Sequence, residues 1–422
     1  PVDTSKTGGR ACRSVAEAGG PAGPPPQEQV DATLAWVSDV FREHYRASPP
    51  ELPPRYGRRE FGFLWNGKTF FLRHTSFTSK EAFHDFLVKE APHHCYYSTA
   101  YYKTPHAATM KEKEWLGADL IFDLDADHLP GGDKLSFAEQ LAAVKLQARK
   151  LLHEFILGDF GFDESHVRIV FSGGRGYHFH VTDPRVLQLD SAARREIVDY
   201  ISPNDTVAAA ISEGFVKERA YEATIFGLQK DRIIPPADSP GWDGMLTRTI
   251  VAFLEELRTM EKDAAKARLM TLDGIGDKTA DEVLSMLTPE RIALIRNEGR
   301  IAIPALGRSK ALAGLVQYAK VHAEGETDEP VTADIKRLIR LPGSLHGKTG
   351  LRVTPLTIKE FERFDPLQDA VALGDEPTRV IVSKPTEVPL RGQRLMVQPG
   401  EQELPLYAAT FVVLRRAALR PL

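Results

Sequence analysis

The chain has 422 residues, of which 42% are hydrophobic and 27% charged, and its formal net charge is −4 at pH 7. These values are ordinary for a water-soluble globular protein of two or three domains and exclude a chain that is basic throughout, so a nucleic-acid surface has to be a local patch. The two cysteines, Cys12 and Cys95, exclude a disulfide framework, and no run reaches the roughly 18 apolar residues of a membrane span, so we expect a cytoplasmic protein without a membrane partner.

The N-terminal part of the chain is predicted to be a tail followed by a helix and a hairpin. Residues 1–27 are rich in Gly, Ala and Pro and lack apolar periodicity, which predicts a disordered tail. Helical spacing of apolar residues begins near Val30 and ends before Pro49. Residues 55–73 contain two apolar runs around Asn66-Gly67, a pattern typical of a β-hairpin.

Residues 117–127 read as a buried strand that becomes acidic at its end. Alternation along a strand places Asp123 and Asp125 on one face, about 7 Å apart. Buried, unpaired carboxylates are strongly disfavoured, and a divalent cation would compensate them. A structural alternative is open, because carboxylates also cap turns. Asp127 is expected to lie in the solvated turn that follows.

After a helix predicted over residues 137–156, residues 167–181 read as strand, Gly-rich turn and strand. The turn runs from Ser172 to Gly176, and its small residues allow main-chain amides to approach an anion, with Arg175 as a bidentate phosphate partner. A tight hairpin with a surface arginine is the structural alternative. His178 lies nearer the turn than the second histidine of the strand and is the stronger phosphate or metal candidate.

Residues 191 to about 322 are predicted to form a helical subdomain inserted into the α/β unit. Within it, residues 272–280 resemble the hairpin of a helix-hairpin-helix motif, in which amides at a helix N-terminus meet a DNA phosphate. A Gly-containing turn between two helices explains the same residues. The run 324–329 contains no apolar residue and is interpreted as an acidic, solvated loop that closes the insertion.

The loop 343–350 resembles a nucleotide-binding P-loop, but it has three residues between its glycines and leads into a strand, so that interpretation is excluded. Phosphate-directed groups remain nearby, next to the carboxylate of Asp334: they are Arg340, Ser344, His346 and Lys348. Residues 357–422 contain helix and strand pieces without a recognisable motif.

Three segments carry the candidate chemical groups: the acidic strand with Asp123 and Asp125, the Gly-rich turn with the strand that follows it, and residues 334–348. Together they suit two-metal phosphoryl transfer. In that reaction carboxylates hold the ions, which activate an attacking hydroxyl and stabilise the transition state. Arginine, lysine and histidine side chains then bind the triphosphate and the departing pyrophosphate.

These segments closely resemble the small catalytic subunit of archaeal and eukaryotic DNA primases, and the archaeal branch fits best. The resemblance rests on motifs that occur in the family's order between residues 55 and 356: Arg59 to Phe63, Phe122 to Asp125, Ser172 to His178, and Asp334 with Leu341 to Gly350. It implies a mixed α/β primase catalytic core formed by residues 28–190 and 331–422, with residues 191–330 as the helical subdomain.

The same resemblance implies roles for individual residues. Asp123, Asp125 and Asp334 match the catalytic, metal-binding triad. The groups that match the nucleotide-phosphate sites are Ser172, Arg175, His178, Arg340, His346 and Lys348. Arg59 and Glu60 match a motif near the active site, although an ion pair that steadies the hairpin explains them equally well.

The implied activity is template-directed synthesis of short primers from nucleoside triphosphates on single-stranded DNA, with Mg²⁺ or Mn²⁺. The implied partner is a primase large subunit that carries an iron–sulfur cluster in its own chain. The family usually carries a zinc knuckle after the first two acids, but His93, His94, Cys95 and His106 lie before them and lack ligand spacing, so we expect no structural zinc. A stand-alone primase-polymerase and an inactive nucleic-acid-binding scaffold are the alternatives.

Overall fold

The computed structural model describes residues 26–128, 131, 134–204, 211, 214–222 and 228–422. The predicted tail, apart from its last two residues, and Cys12 lie outside these ranges. The α-helices of the described part, in chain order, are α1 Gln27–Ala47, α2 Lys80–Glu90, α3 Met110–Lys113, α4 Phe137–Lys150, α5 Ser191–Ile201, α6 Gly241–Thr259, α7 Lys262–Leu269, α8 Asp277–Met286, α9 Pro289–Glu298, α10 Ser309–Ala323, α11 Glu329–Ala333, α12 Ile358–Arg363, α13 Pro366–Asp369 and α14 Leu406–Leu414. A wider π-helical segment, Leu151–Asp159, continues α4.

The strands of the described part are short, and their bounds are β1 Phe61–Leu64, β2 Leu72–Thr75, β3 His94–Ser98, β4 Ala100–Tyr102, β5 Trp115–Ala118, β6 Leu120–Asp125, β7 Val167–Phe171, β8 Gly176–Val181, β9 Lys217–Glu222, β10 Leu228–Ile233, β11 Leu338–Arg340, β12 Thr354–Leu356, β13 Pro377–Val382, β14 Thr386–Val388, β15 Leu395–Val397, β16 Gly400–Pro405 and β17 Ala418–Leu419. Helix and strand are thus interspersed along the chain, and the predicted mixed α/β class is confirmed.

Two four-stranded sheets carry the predicted motifs. The first has the order β12-β7-β8-β6, with antiparallel neighbours throughout. The second has the order β11-β3-β1-β2 and is also antiparallel. Residues 343–350 are called the C-terminal phosphate loop, after the role predicted for them. Because β11 pairs with β3, the segment just before this loop lies beside a strand from the N-terminal half of the chain.

The first sheet is covered on one face by aromatic packing and has its chemical groups on the other. Phe361 of α12 packs against the rings of Tyr177 and Phe179, at 5.3 and 6.1 Å between centroids. Alternation along β8 sends His178 to the opposite face. Both faces of β8 are buried, one under aromatic rings and the other with its two histidines towards the site.

The hairpin around Asn66-Gly67 has the predicted strands and the predicted turn, which the N–H of Lys68 closes by donating to the carbonyl of Trp65 at 3.1 Å. β1 ends at Leu64 and β2 begins at Leu72, so a longer connection joins them. Gly67 adopts a left-handed φ of 79° within it. The side chain of Asn66 is used elsewhere, in a contact with the C-terminal phosphate loop described below.

The described residues between 191 and 323 form helices α5 to α10, together with the unpredicted two-stranded ladder β9–β10. The division into inserted and catalytic segments stays a prediction. At the helix-hairpin-helix-like turn, a Cβ on Gly274 would lie 2.6 Å from the carbonyl carbon of Lys310 in α10. This close packing explains the glycine structurally, and the DNA-binding interpretation stays a prediction.

The acidic run 324–329 is not the fully solvated loop expected from its composition. Gly325 is buried, its N–H donates to the carbonyl of Ile201 at 2.9 Å, and its own carbonyl accepts the hydroxyl of Ser202. Main-chain hydrogen bonds therefore fix this run against α5. Within the described ranges, no helix is both long and apolar enough to cross a membrane.

Candidate active site

The acidic strand β6 lies at the edge of the first sheet and pairs with β8. Asp123 faces His178 across the ladder, and Asp125 faces Gly176. The Nε2 atom of His178 lies 3.3 Å from Oδ1 of Asp123. A Cβ on Gly176 would lie 2.1 Å from the carbonyl oxygen of Leu124, so only glycine fits opposite Asp125. The strand places both carboxylates at one end of the sheet.

A third carboxylate, Asp328, joins this pair from the run that precedes α11. Its main-chain N–H donates to the carbonyl of Asp123 at 2.8 Å, which fastens residue 328 alongside the edge strand. Asp328 occupies the N-cap position of α11, yet its side chain makes no capping hydrogen bond. One small cavity is lined by Asp123, Leu124, Asp125, Val144, Gln147, Glu326, Thr327 and Asp328.

Asp334, the third acid expected from the sequence, lies elsewhere and is not part of this cavity lining. Its Oδ1 accepts the main-chain N–H of Lys336 at 2.9 Å, which closes a local turn before β11. Its charge acts on Tyr102 and Arg194 rather than on the acidic strand. The geometry therefore favours Asp328 over Asp334 as the third carboxylate.

The electrostatics of the three carboxylates indicate an uncompensated negative site. Burial, the charge of Asp125 and the charge of Asp328 together raise the pKa of Asp123 to about 7. The guanidinium groups of Arg337 and Arg340 act in the opposite direction without cancelling this effect. A carboxylic acid with such a pKa holds a proton near neutrality unless a cation replaces it.

His178 is neutral at this site. Burial, together with the charges of Arg340 and Arg337, lowers the pKa of His178 to about 3. The neutral imidazole carries a single ring proton, and its Nε2 atom is the ring nitrogen that lies beside Oδ1 of Asp123. Nδ1 is buried and has no hydrogen-bond partner among the described residues. His178 therefore lies against the acid cluster as a neutral ring and not as a cation.

Ser172 organises the Gly-rich turn between β7 and β8. Its Oγ accepts the main-chain N–H groups of Gly174 and Gly176, both at 3.2 Å. Gly173 has a left-handed φ of 74°, and a Cβ there would lie 2.8 Å from Cβ of His346. The buried serine therefore holds the main chain of the turn in place by its hydrogen bonds. Gly173 has no side chain, which allows the C-terminal phosphate loop to pack against the turn.

Arg175 is the partly exposed cation of this turn. Its guanidinium forms an ion pair with Asp127 at 2.5 Å and a longer contact of 3.5 Å with Oε1 of Gln140 in α4. Asp127 lies in the exposed turn after β6, as expected from the sequence, and its side chain is 62% exposed. The arginine is therefore held at the mouth of the site by a partner that solvent reaches.

The C-terminal phosphate loop, residues 343–350, packs directly on the Gly-rich turn. The Thr349 hydroxyl donates to the carbonyl of Gly173. The main-chain N–H of Lys348 donates to Nδ1 of His346 at 3.3 Å, so the neutral ring of His346 carries its proton on Nε2. Lys348 itself is exposed. Ser344, expected to face phosphate, is buried and donates to the carbonyl of Leu341 instead.

Arg340 is positioned by a chain of hydrogen bonds that sequence reasoning missed. Its Nη1 lies 3.0 Å from Nδ1 of His94, and Nε2 of His94 lies 3.2 Å from Oδ1 of Asn66. Nδ2 of Asn66 then donates to the carbonyl of Gly347 at 2.7 Å. Because arginine only donates, Nδ1 of His94 accepts and its Nε2–H donates onward. We call this series, Arg340–His94–Asn66–Gly347, the arginine relay.

Arg59 and Glu60 form buried ion pairs, which is the structural one of the two roles that their sequence motif allows. Arg59 is buried and pairs with Asp119 at 2.7 Å, the residue just before β6. Glu60 is buried and pairs with the buried Lys113 and with Arg73. Neither side chain reaches the three carboxylates, but the pair of Arg59 fixes the start of the acidic strand.

The residues considered for zinc have partners of other kinds. His93 accepts the N–H of Asn66 at Nδ1 and contacts Ser38 at Nε2, and the thiol of Cys95 lies 3.6 Å from the hydroxyl of Tyr45. His106 is exposed. The absence of zinc stays a prediction.

The donor set at the acid cluster fits Mg²⁺ or Mn²⁺. Carboxylate oxygens suit both ions. The raised pKa of Asp123 reflects burial and repulsion between the carboxylates, and a bound cation would offset that repulsion. In the described part of the chain, no group of three or more His, Cys, Asp or Glu side chains lies close enough together to hold a metal ion. Mg²⁺ usually takes one or two carboxylates in proteins and completes its shell with water and substrate phosphate.

Comparisons with known proteins show the family of the chain. A family model described as DNA primase small subunit matches residues 122–358, which include Asp123, Asp125, the Gly-rich turn and the loop 343–350. The chain is 42% identical over 389 residues to the DNA primase small subunit PriS of Methanococcoides burtonii, covering 92% of this chain and 98% of that protein.

Two further relatives have the same name. PriS of Methanothrix thermoacetophila is 43% identical over 391 residues, covering 91% of this chain and 98% of that protein. PriS of Halorubrum lacusprofundi is 38% identical over 396 residues, covering 92% of this chain and 98% of that protein. The chain therefore belongs to the archaeal DNA primase small subunit family and is a primase, a nucleotidyltransferase of DNA replication.

Proposed function

We propose that this primase holds its catalytic divalent ions, Mg²⁺ or Mn²⁺, with Asp123, Asp125 and Asp328. The observation that carries the proposal is the convergence of three carboxylates that raises the pKa of Asp123 to about 7. Bound ions of this kind activate the attacking hydroxyl and stabilise charge on the reacting phosphate. The neutral ring of His178, whose Nε2 lies 3.3 Å from Oδ1 of Asp123, is proposed to keep this carboxylate oriented.

The triphosphate is proposed to bind along the two packed loops. Arg175 and Lys348 are accessible cations at the loop surfaces, and the Nε2–H of His346 is a neutral donor beside Gly174. Arg340 supplies a further guanidinium, oriented by the arginine relay. Ser172 contributes by holding the amides of its turn in place. These groups orient the nucleotide and stabilise the departing pyrophosphate.

The proposed substrates are nucleoside triphosphates and a single-stranded DNA template, and the proposed partner is a primase large subunit. The relatives are named as small subunits, which supports a heterodimer over a stand-alone primase-polymerase. Co-purification of a large subunit with the tagged chain from its native cell tests this partner. A scaffold without activity has no evident need for three convergent acids.

Primer synthesis on a single-stranded DNA template tests the ligand set, and Asp334 serves as a matched control for Asp328. We expect Asp123→Asn, Asp125→Asn and Asp328→Asn each to lower the rate at least about 100-fold, because ion-mediated stabilisation is worth several kcal/mol. Asp334→Asn should stay within about threefold of the wild type, a change of less than 1 kcal/mol.

The outcome that would overturn the assignment is an active Asp328→Asn enzyme beside an inactive Asp334→Asn enzyme. Titration of Mn²⁺ by electron paramagnetic resonance gives a readout that does not depend on turnover. Variants of the three proposed ligands should bind Mn²⁺ more weakly, and Asp334→Asn should bind it as the wild type does.

A further inference from the structure

A second cavity lies beside the phosphate loops, in a part of the structure formed largely by the C-terminal segment. Its volume is about 310 Å³, which is at the lower end of pockets that bind small ligands. Its walls come from the start of α4 and from the region of β14 and the end of α14: they are Ser136–Ala138, Lys384–Glu387, Pro389, Phe411, Arg415 and Ala417. The C-terminal walls lie beyond residue 358, where the family match ends.

Two cations line this cavity without an acidic partner in the described structure. The guanidinium of Arg415 lies over the rings of Phe137 and Phe411, with its carbon 5.0 and 5.2 Å from their centroids. Lys384 is exposed at the rim. The one carboxylate of the lining, Glu387, pairs with Arg394 at 3.8 Å. The cavity therefore offers positive charge that a ligand can neutralise.

The same cavity adjoins the proposed triphosphate site. Helix α4 carries Phe137 in the cavity wall and, one turn later, Gln140 in contact with Arg175. Burial and the charge of Arg175 lower the pKa of Arg415. Two guanidinium groups that influence each other in this way favour an anion between or beside them. Helix α4 thus joins the wall of the cavity to the Gly-rich turn, and Arg415 lies close enough to Arg175 for their charges to interact.

We propose that this cavity, the template cleft, binds a nucleotide of the single-stranded DNA template, with phosphates against Lys384 and Arg415 and the base against the Arg415 plane. Sites for single strands combine cations along the backbone with planar side chains on which bases stack. The chain as a whole carries a charge of −4, so template binding requires such a local patch. This proposal rests on the proposed primer synthesis, which needs template beside the nucleotide site.

Fluorescence anisotropy of a labelled single-stranded oligonucleotide tests the template cleft with the full-length protein. We expect the double variant Lys384→Gln/Arg415→Gln to bind about tenfold more weakly near 0.1 M salt. The slope of log affinity against log salt should fall by about 1.4, because each phosphate that a cation neutralises on a single strand contributes about 0.7. The matched control is Lys359→Gln/Arg363→Gln in α12, two exposed cations that are not part of the cavity lining. It should bind as the wild type does.

A second arm measures binding of a fluorescent nucleoside triphosphate in the absence of DNA. Loss of nucleotide binding with intact DNA affinity would overturn the proposal, because the cleft would then serve the free nucleotide. Unchanged DNA affinity in the double variant would overturn it as well. Lys384→Glu alone changes an exposed side chain without disturbing the packing of Arg415, and it should also weaken DNA binding.

The oligonucleotide-binding assay and the primer-synthesis assay distinguish the template cleft from the proposed metal ligands. Asp123→Asn should bind the oligonucleotide like the wild type while failing to make primers. If the acid variants stayed active but the cleft variants lost DNA binding, the proposed ligand set would fail and the template cleft would stand. The reverse pattern would remove the cleft and leave the ligand set intact.

Discussion

The Nε2 atom of His178 lies 3.3 Å from Oδ1 of Asp123, directly across the ladder between β6 and β8. Both side chains are largely buried, at 6% and 19% exposure. Because His178 is kept neutral, it can donate a hydrogen bond to the carboxylate without competing with a metal ion for its charge. The pair links the strand of the Gly-rich turn to the strand of the acids.

Loss of this donor should weaken ion binding more than it weakens the fold. We expect His178→Gln to lower Mn²⁺ affinity about 10- to 100-fold, the usual effect of removing a group that orients a metal ligand. His180→Gln is the matched control, since His180 lies on the same face of β8 and contacts Tyr97 at 3.3 Å instead of an acid. Equal losses in both variants would indicate a general packing effect.

The raised pKa of Asp123 predicts an unusual pH dependence of the metal-free protein. Its native pKa of about 7 exceeds the ordinary value of 3.8. Between these values the native state binds a proton that the unfolded state lacks, so the contribution of Asp123 to stability falls as pH rises from about 4 to about 7. Asp123→Asn removes this loss.

Thermal unfolding with a chelator present should therefore show Asp123→Asn melting above the wild type at pH 8, by about 3 °C or more, and a smaller difference at pH 5. Mg²⁺ should reduce the difference at pH 8 by stabilising the wild type alone. A wild type that gains stability relative to the variant as pH rises would contradict the raised pKa.

The ion pair between Arg175 and Asp127 competes with phosphate for the guanidinium. Exposed pairs contribute about 0–1 kcal/mol, so Asp127→Asn should lower the KM for nucleoside triphosphate by at most about fivefold. Steady-state primer extension measures this, with Arg175→Gln as the variant in which KM should rise. An increased KM in Asp127→Asn would instead mean that the pair orients the arginine for phosphate.

In the acidic strand, the alternation of side chains between the two faces predicts part of the acid cluster but not all of it. Two-residue periodicity is sufficient to predict that Asp123 and Asp125 share one face, because a strand has no other way to project them. The third acid depends on a tertiary contact, the hydrogen bond between the N–H of Asp328 and the carbonyl of Asp123. Local sequence offers two acids, Asp328 and Asp334, and composition alone favoured a solvated loop for the first.

The arginine relay was missed for a related reason. His94 and Asn66 belong to β3 and to the connection after β1, and pairing of β3 with β11 is what brings Arg340 to them. No spacing in the sequence encodes that pairing. Asn66 has the turn position that the sequence predicts, and the contacts of its side chain with His94 and Gly347 are additional to that role.

The relay predicts an effect of Asn66 on nucleotide binding at a distance from the phosphates. Asn66→Ala removes the group that joins His94 to Gly347, and Asn66→Asp keeps an acceptor for His94 but loses the donor to Gly347. We expect both to raise the KM for nucleoside triphosphate about 3- to 10-fold, as one hydrogen bond of about 1 kcal/mol is removed. A change confined to kcat would argue against positioning of Arg340.

The buried pair of Arg59 and Asp119 predicts a stability effect without a catalytic one. Both side chains are only 2% exposed, and their atoms lie 2.7 Å apart. Arg59→Met leaves the Asp119 carboxylate buried and uncompensated, which should cost about 3–5 kcal/mol of unfolding free energy. Urea denaturation measures this loss, and the double variant Arg59→Met/Asp119→Asn should recover a large part of it because no lone charge then remains. At a temperature where Arg59→Met is folded, its primer synthesis should stay near the wild-type rate, whereas a large loss of kcat in folded protein would place Arg59 in the reaction itself.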